Sequence, residues 1–196
     1  MLRYELTRWL AYRSICHPLM KWYVWYLPGA AALFITSIYF MLPVRPSLGT
    51  ETGLVVGILD VLSLLPGFFI AALAAVATFD RPEMDEAMPS PAPTLSIFRE
   101  GKWIDTELTR RLFLTYLFSY LAILSVLVII ICISFNFFQP TFVHLIMSIV
   151  HADLSFLVME FFRLLFVLLM AYSCSSIVIT TLHGMYFISE RMHLPH

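Results

Sequence analysis

Four long runs of apolar residues, separated by short polar or charged segments, organise this chain. They cover residues 24–42, 53–79, 112–135 and 154–188. About 20 helical residues, rising 1.5 Å each, cross the roughly 30 Å of hydrocarbon in a bilayer. Backbone amides in lipid must pair within their own segment, and alternating strands of about ten residues, the barrel pattern, are absent. The pattern predicts an all-α, polytopic membrane protein with four transmembrane helices. The fourth run exceeds what one bilayer needs. It either continues as a helix beyond the membrane or breaks near Gly184, and Tyr172, Ser173, Ser176, Thr180 and His183 favour protein contact over lipid contact in its last half.

The intervening segments each have a pattern of their own. Residues 1–23 alternate Arg3, Arg8, Arg13 and Lys21 with Leu2, Leu6, Trp9 and Leu10, which predicts an amphipathic helix lying in the interface. Trp22, Tyr23, Trp25 and Tyr26 then form an aromatic belt at the start of the first span. Residues 43–52 make a short outer loop. The 80–111 segment opens on acids, passes Pro89, Pro91 and Pro93, and closes on a mixed-charge helical entry around Asp105–Arg111. The alternate prolines predict an extended, polyproline-like spacer. Residues 136–153 are unusually apolar for a loop, and a short helix lying in the outer interface is the expected form. Residues 189–196 are a tail.

Composition agrees: 60% of residues are hydrophobic and 13% charged, where a soluble domain carries about 25% charge. That excludes a soluble enzyme, a disordered chain, and a nucleic-acid binder with a broad basic face, so no direct nucleic-acid binding is expected. Charge placement sets the orientation. Arg3, Arg8, Arg13, Lys21, Arg81, Arg99, Lys102, Arg110, Arg111 and Arg191 fall on one side, against Arg45 alone on the other, and Arg163 lies within a span. By the positive-inside rule both termini and the 80–111 loop are cytoplasmic in a bacterial inner membrane. No small-residue cleavage site follows the first span, so it reads as an uncleaved anchor. Cys16, Cys132 and Cys174 are widely spaced and form no disulfide or metal pattern.

Three ionisable residues fall within spans: Asp60, Glu160 and Arg163. Such groups usually find partners in protein or water. Counted from the outer ends of their spans, Asp60 and Arg163 share a layer roughly 10–14 Å deep, and Glu160 is three residues from Arg163 on one helical face. A cluster of the three is predicted. It serves as a structural ion-pair network, as an ion or ligand pathway, or as snorkelling groups. The second span carries small residues at helical spacing (Gly53 with Gly57, and Gly67 with Ala71 and Ala75), a ridge for homo-oligomerisation or for packing within the chain. Pro66 beside Gly67 marks a kink or a plain packing position. His144 and His151, seven apart, lack the further ligands a metal site needs, so neither metal nor cofactor is expected. Ser173, Ser175 and Ser176 have no accompanying base and acid.

These features favour a non-enzymatic, oligomeric membrane subunit, a sensor or anchor that recruits a cytoplasmic effector. The partner-binding residues are then Asp80, Arg81, Glu83, Asp85, Glu86, Arg99, Lys102 and Trp103, and the outer sensing residues are Phe137, Phe138, Phe142, His144 and His151. A small oligomeric channel or transporter subunit is the alternative, resting on the buried charges. The basic aromatic N-terminus, the four spans, the charged middle loop and the Leu108-Thr109-Arg110-Arg111-Leu112-Phe113-Leu114 entry to the third span resemble the small four-helix membrane subunit of the bacterial Kiwa anti-phage system. The resemblance implies an oligomeric inner-membrane component that senses phage attack at the envelope and carries a cytoplasmic, DNA-binding effector. It implies no catalytic residues.

Overall fold

A computed structural model describes residues 8–49, 53–78, 82–88, 91–99, 102–149 and 151–191, with backbone alone at 99, 152, 153, 190 and 191. The chain is mostly helical. A 3-10 helix, Arg8–Ser14, comes first. A π-helical turn, Trp22–Tyr26, then runs directly into α1, Leu27–Met41. Pro28 sits in the first turn of α1, where its missing N–H is tolerated. It cannot donate to the Val24 carbonyl four residues earlier, and the Tyr172 hydroxyl donates to that oxygen instead, at 3.3 Å. The second span is two helices, α2 (Leu54–Leu62) and α3 (Leu65–Thr78), parted at Ser63–Leu64 just before Pro66. After a β-hairpin come α4, Arg110–Ile149, and α5, Ala152–Tyr186.

Packing sets the helices in an open row rather than a closed bundle. α1 lies along α5, α5 along α4, and α4 along α2 and α3; among the described residues no substantial contact joins α1 to α3. The shared core follows this row, with Val55 and Phe69 against Leu117, Leu121 and Val128, and Met170 and Ile177 on the far side. Both faces of the row stay apolar: Leu33 and Phe34 on α1, Phe68 and Ile70 on α3, Ile130 and Ile133 on α4, and Leu182 on α5 are exposed. Four segments are long and apolar enough to cross a membrane, Trp22–Met41, Leu54–Thr78, Arg110–Ile149 and Leu154–Ser189, and the array fits a multi-pass membrane protein.

Several connections differ from the expectation. Residues 8–14 are not an amphipathic helix lying free in an interface. They pack onto α4, with Ala11 and Tyr12 buried. Within 80–111, the extended spacer and the helical entry at Asp105 give way to β1, Thr94–Arg99, paired antiparallel with β2, Lys102–Glu107. Cys16 exchanges both backbone hydrogen bonds with Thr94, which ties the N-terminal segment to the hairpin. The third run does not end at 135. α4 continues through Asn136, Gln139 and Pro140 to Ile149, so 136–149 extends a spanning helix and is not a separate interfacial one. α5 likewise passes through Gly184 unbroken.

Length then creates an arm. Leu54, near the start of α2, packs in one layer with Phe135 of α4 and Phe166 of α5. The 14 further residues of α4 rise roughly 20 Å beyond that layer. The first part of α5 descends beside them, with Phe142 edge-on to Phe162 at 5.0 Å between centroids. The α4–α5 turn therefore overreaches the α1–α2 loop. At the opposite end lie the 3-10 helix, the β-hairpin and the close of α5.

Candidate functional site

At the base of the arm, Glu160 receives two arginines. Arg163 Nη1 donates to its Oε1 at 2.8 Å and Arg45 Nη1 to its Oε2 at 2.9 Å. Arg45, from the α1–α2 loop, also stacks its guanidinium over Phe40, 4.9 Å from the ring centroid. Two of the three predicted members thus meet, and Arg45 takes the third place. Asp60 does not join them: it is exposed on α2, and among the described residues no cation lies within ion-pair distance of it. The reason is depth. Asp60 lies six residues past Leu54 in one direction, whereas Arg163 lies three residues before Phe166 in the other, roughly 14 Å apart along the helix axes. Equal depth would require all spans to end together, and α4 and α5 do not end where α2 begins.

The arm itself is apolar nearly all round. Phe137 (80% exposed), Phe138, Phe142, Leu145, Met147 and Ile149 on α4 face outward, as do Leu154, Phe156, Leu157 and Phe161 on α5. His144 and His151 are exposed too, His151 at the start of α5, where its carbonyl accepts from Leu154 and Ser155. A helical hairpin with so little polar surface normally has its apolar faces covered. A cleft of about 190 Å³ lies at its base, between Leu48, Gln139, Phe142, Met159 and Arg163.

The small-residue ridge is split. Gly53 is buried where it precedes α2, whereas Gly57, Gly67 and Ala71 are exposed and Ala75 is half-buried. A Cβ built at Gly57 or Gly67 would meet nothing within 4 Å, so among the described residues this ridge packs against nothing at those positions.

At the other end the expected partner loop is partly clasped onto the helices. Arg111 holds Asp85 through Nε at 2.7 Å and Nη2 at 3.0 Å, and reaches the Val76 carbonyl near the end of α3 at 3.1 Å. That hydrogen bonding keeps the Asp85 carboxyl below its ordinary pKa of 3.8. Arg110 is buried beneath the 82–88 segment, its backbone N–H donating to Glu86 O. Glu83 and Glu86 are exposed. On the hairpin, Lys102 and Trp103 (65% exposed) stand out on β2, all six residues of which are exposed. Phe98 and Trp103 share one face with ring centroids 5.4 Å apart, and Ser96 donates to Asp105 on the same face. Arg99 ends β1, while Asp80 and Arg81 lie outside the described residues.

A second cluster at this end escaped the sequence. Tyr12, fully buried, places its hydroxyl 3.2 Å from His183 Nδ1 and stacks on Tyr120 at 5.3 Å. Burial, reinforced by Tyr120, raises the Tyr12 phenol well above its usual range, so it stays neutral. His183 lies flat on Tyr23, 4.4 Å between rings, and edge-on to Phe113. Tyr120 and Ser176 share a hydrogen bond of 3.1 Å. Arg13 donates to the Tyr172 hydroxyl at 2.8 Å, and Arg8 to the Tyr116 hydroxyl at 2.7 Å. The polar spacing 172, 176, 180, 183 on α5 was a visible signal of half this cluster. Its partners come from a segment whose aromatics read as interfacial.

Chemically, these groups hold helices together. The cysteines are free, and among the described residues no three His, Cys, Asp or Glu side chains converge on a point a metal could occupy. The geometry defines an array of four helical segments long and apolar enough to cross a membrane, with an apolar arm at one end and a clasped, charged hairpin at the other. No family model matches the chain, and no curated protein and no solved structure matches it.

Proposed function

We propose that the protein is a non-enzymatic, homo-oligomeric subunit of a bacterial inner membrane, in N-in/C-in orientation, that senses at its outer arm and holds a soluble effector at its cytoplasmic face. The role is that of the Kiwa membrane subunit it resembles, a sensor and anchor in anti-phage defence. One observation carries the reading: the two ends of the array differ in kind. The arm offers Phe137, Phe138, Phe156 and Phe161 beyond the charge cluster, suited to lipid or an inserted apolar protein, whereas the hairpin offers Lys102, Trp103 and a fully exposed β2 to water. An exposed strand edge of this sort accepts a partner's strand or loop. α4 and α5 run unbroken between the two ends, so a tilt at the arm reaches the platform.

The test is affinity purification in mild detergent, reading native mass and co-purifying soluble protein. Replacing Trp103 and Ile104 by Ser should release the partner and leave the native mass unchanged. Replacing Phe137, Phe138 and Phe156 by Ser should keep the partner but abolish signalling. Retention of the partner by the hairpin variant sinks the platform reading. A small oligomeric channel is the second reading, favoured by the exposed Asp60 at membrane depth. Ion flux in liposomes, abolished by Asp60→Asn, would establish it in place of the first.

A further inference from the structure

A cleft of about 520 Å³ opens between the 3-10 helix and the π-helical turn, lined by Arg13, Ser14, His17, Lys21, Val24 and Trp25 among others. It lies where the first span begins. Trp22, Trp25 and Tyr26 are all exposed there, at the position aromatic side chains take between hydrocarbon and headgroups. Its charge is one-sided. Among the described residues no carboxylate lies within ion-pair distance of Arg13 or Lys21. Arg13 gives Nη2 to the Tyr172 hydroxyl, lays its guanidinium 3.9 Å over the Trp25 ring, and keeps a buried Nε that has no acceptor among the described residues. Lys21 is exposed at the rim.

Two uncompensated cations, one fixed by a ring and a phenol, call for an anion of phosphate type, which accepts several charge-assisted hydrogen bonds at once. Val24 and Trp25, the latter beneath the Arg13 guanidinium, line the same cleft and lead into the apolar flank of α1. An occupant with both a phosphate and an acyl chain fits a cleft that joins cations to apolar side chains. We propose that this cleft binds the headgroup phosphate of an anionic phospholipid, with Lys21 and Arg13 as its cationic contacts and Trp25 against the glycerol and upper acyl region. Bound lipid would pin the Arg8–Ser14 segment, and with it the Tyr12–His183 contact, to the membrane surface.

Thermal unfolding of the full chain in mild detergent tests this, with phosphatidylglycerol, phosphatidylcholine or glycerol phosphate added. Phosphatidylglycerol should raise the midpoint where phosphatidylcholine does not, and glycerol phosphate should have no effect at the same concentration. Removing one surface cation near anionic lipid costs about 1 kcal/mol, so Lys21→Gln should weaken phosphatidylglycerol binding about fivefold. Lys21 is exposed and makes no ion pair, so this variant folds even where Arg13→Gln, which also loses Tyr172, does not. Native mass spectrometry should find phosphatidylglycerol retained on the wild type and depleted on Lys21→Gln. Equal stabilisation by phosphatidylcholine, or equal retention by Lys21→Gln, overturns the proposal. An effect of glycerol phosphate as large as that of the lipid would show a soluble phosphate site instead and overturn the lipid assignment.

Discussion

Glu160 is the point at which the arm is tied to the rest of the array, and its removal has a calculable cost. The Arg163 pair lies three residues away on the same helix, and such pairs contribute about 0.2–0.5 kcal/mol. The Arg45 pair joins the α1–α2 loop to α5 and is worth up to about 1 kcal/mol, since all three side chains remain between a quarter and two fifths exposed. Glu160→Gln loses both and leaves two arginines side by side, a destabilisation of about 1–1.5 kcal/mol. Arg45→Gln should cost less, and Arg163→Gln least. A double-mutant cycle over Arg45 and Glu160, read by reversible unfolding in mixed micelles, should give a coupling of about 0.5–1 kcal/mol that shrinks with added salt. The same cycle over Asp60 and Arg163 should be additive within about 0.3–0.5 kcal/mol, because those residues lie at different depths. A coupling between Asp60 and Arg163 as large as that between Arg45 and Glu160 would refute the layering of this fold.

Tyr12→Phe removes the hydroxyl facing His183 but keeps the ring on Tyr120; it should cost about 1 kcal/mol, whereas Tyr12→Ala empties a fully buried position and should cost about 3–5 kcal/mol and expose residues 8–20 to protease. A Cβ at Gly184 would stand 2.9 Å from Leu117 Cδ2, so Gly184→Leu should destabilise by about 1–3 kcal/mol, while Gly184→Ala, whose helix preference offsets a small side-chain shift, should stay near wild type in the same unfolding assay. The Asp85 carboxyl is held below its ordinary pKa, so the Asp85–Arg111 contact stabilises fully above the ordinary value and is lost as pH falls through the lowered one. Asp85→Asn should therefore unfold slightly more easily than wild type at pH 6, and the difference should shrink as the pH falls through the lowered carboxyl pKa.

The four spans were legible because their apolar length overwhelms every other signal, and the polar stripe at 172, 176, 180 and 183 correctly marked the protein-facing side of α5. The continuation of α4 was not. Asn136, Gln139, Pro140 and Thr141 look like the end of a span, yet Pro140 removes only one hydrogen bond, and the ring contact of Phe142 with Phe162 continues the pairing with α5. The β-hairpin was masked for a similar reason. Its alternation over Leu95, Ile97 and Ile104 is short and follows three prolines, and its anchorage comes from Cys16, some eighty residues earlier. Arg45 could not be found because a loop arginine reads as an orientation signal, and only the overreach of α4 and α5 brings Glu160 level with it. Arg110 and Arg111 count in the sequence as two of the charges that set orientation; in three dimensions Arg110 is buried and Arg111 fastens α3 to the loop.

The order of helices in the open row has a consequence for biosynthesis. α1 precedes the other spanning helices along the sequence, yet its one substantial helical neighbour among the described residues is α5, the last of them in order. Until α5 is inserted, α1 lacks this neighbour, and Tyr12 and Arg13 lack His183 and Tyr172. α2, α3 and α4 can meanwhile assemble with each other in sequence order. A nascent chain stalled before α5 would thus hold α2, α3 and α4 packed on one another and a first span without its helical neighbour.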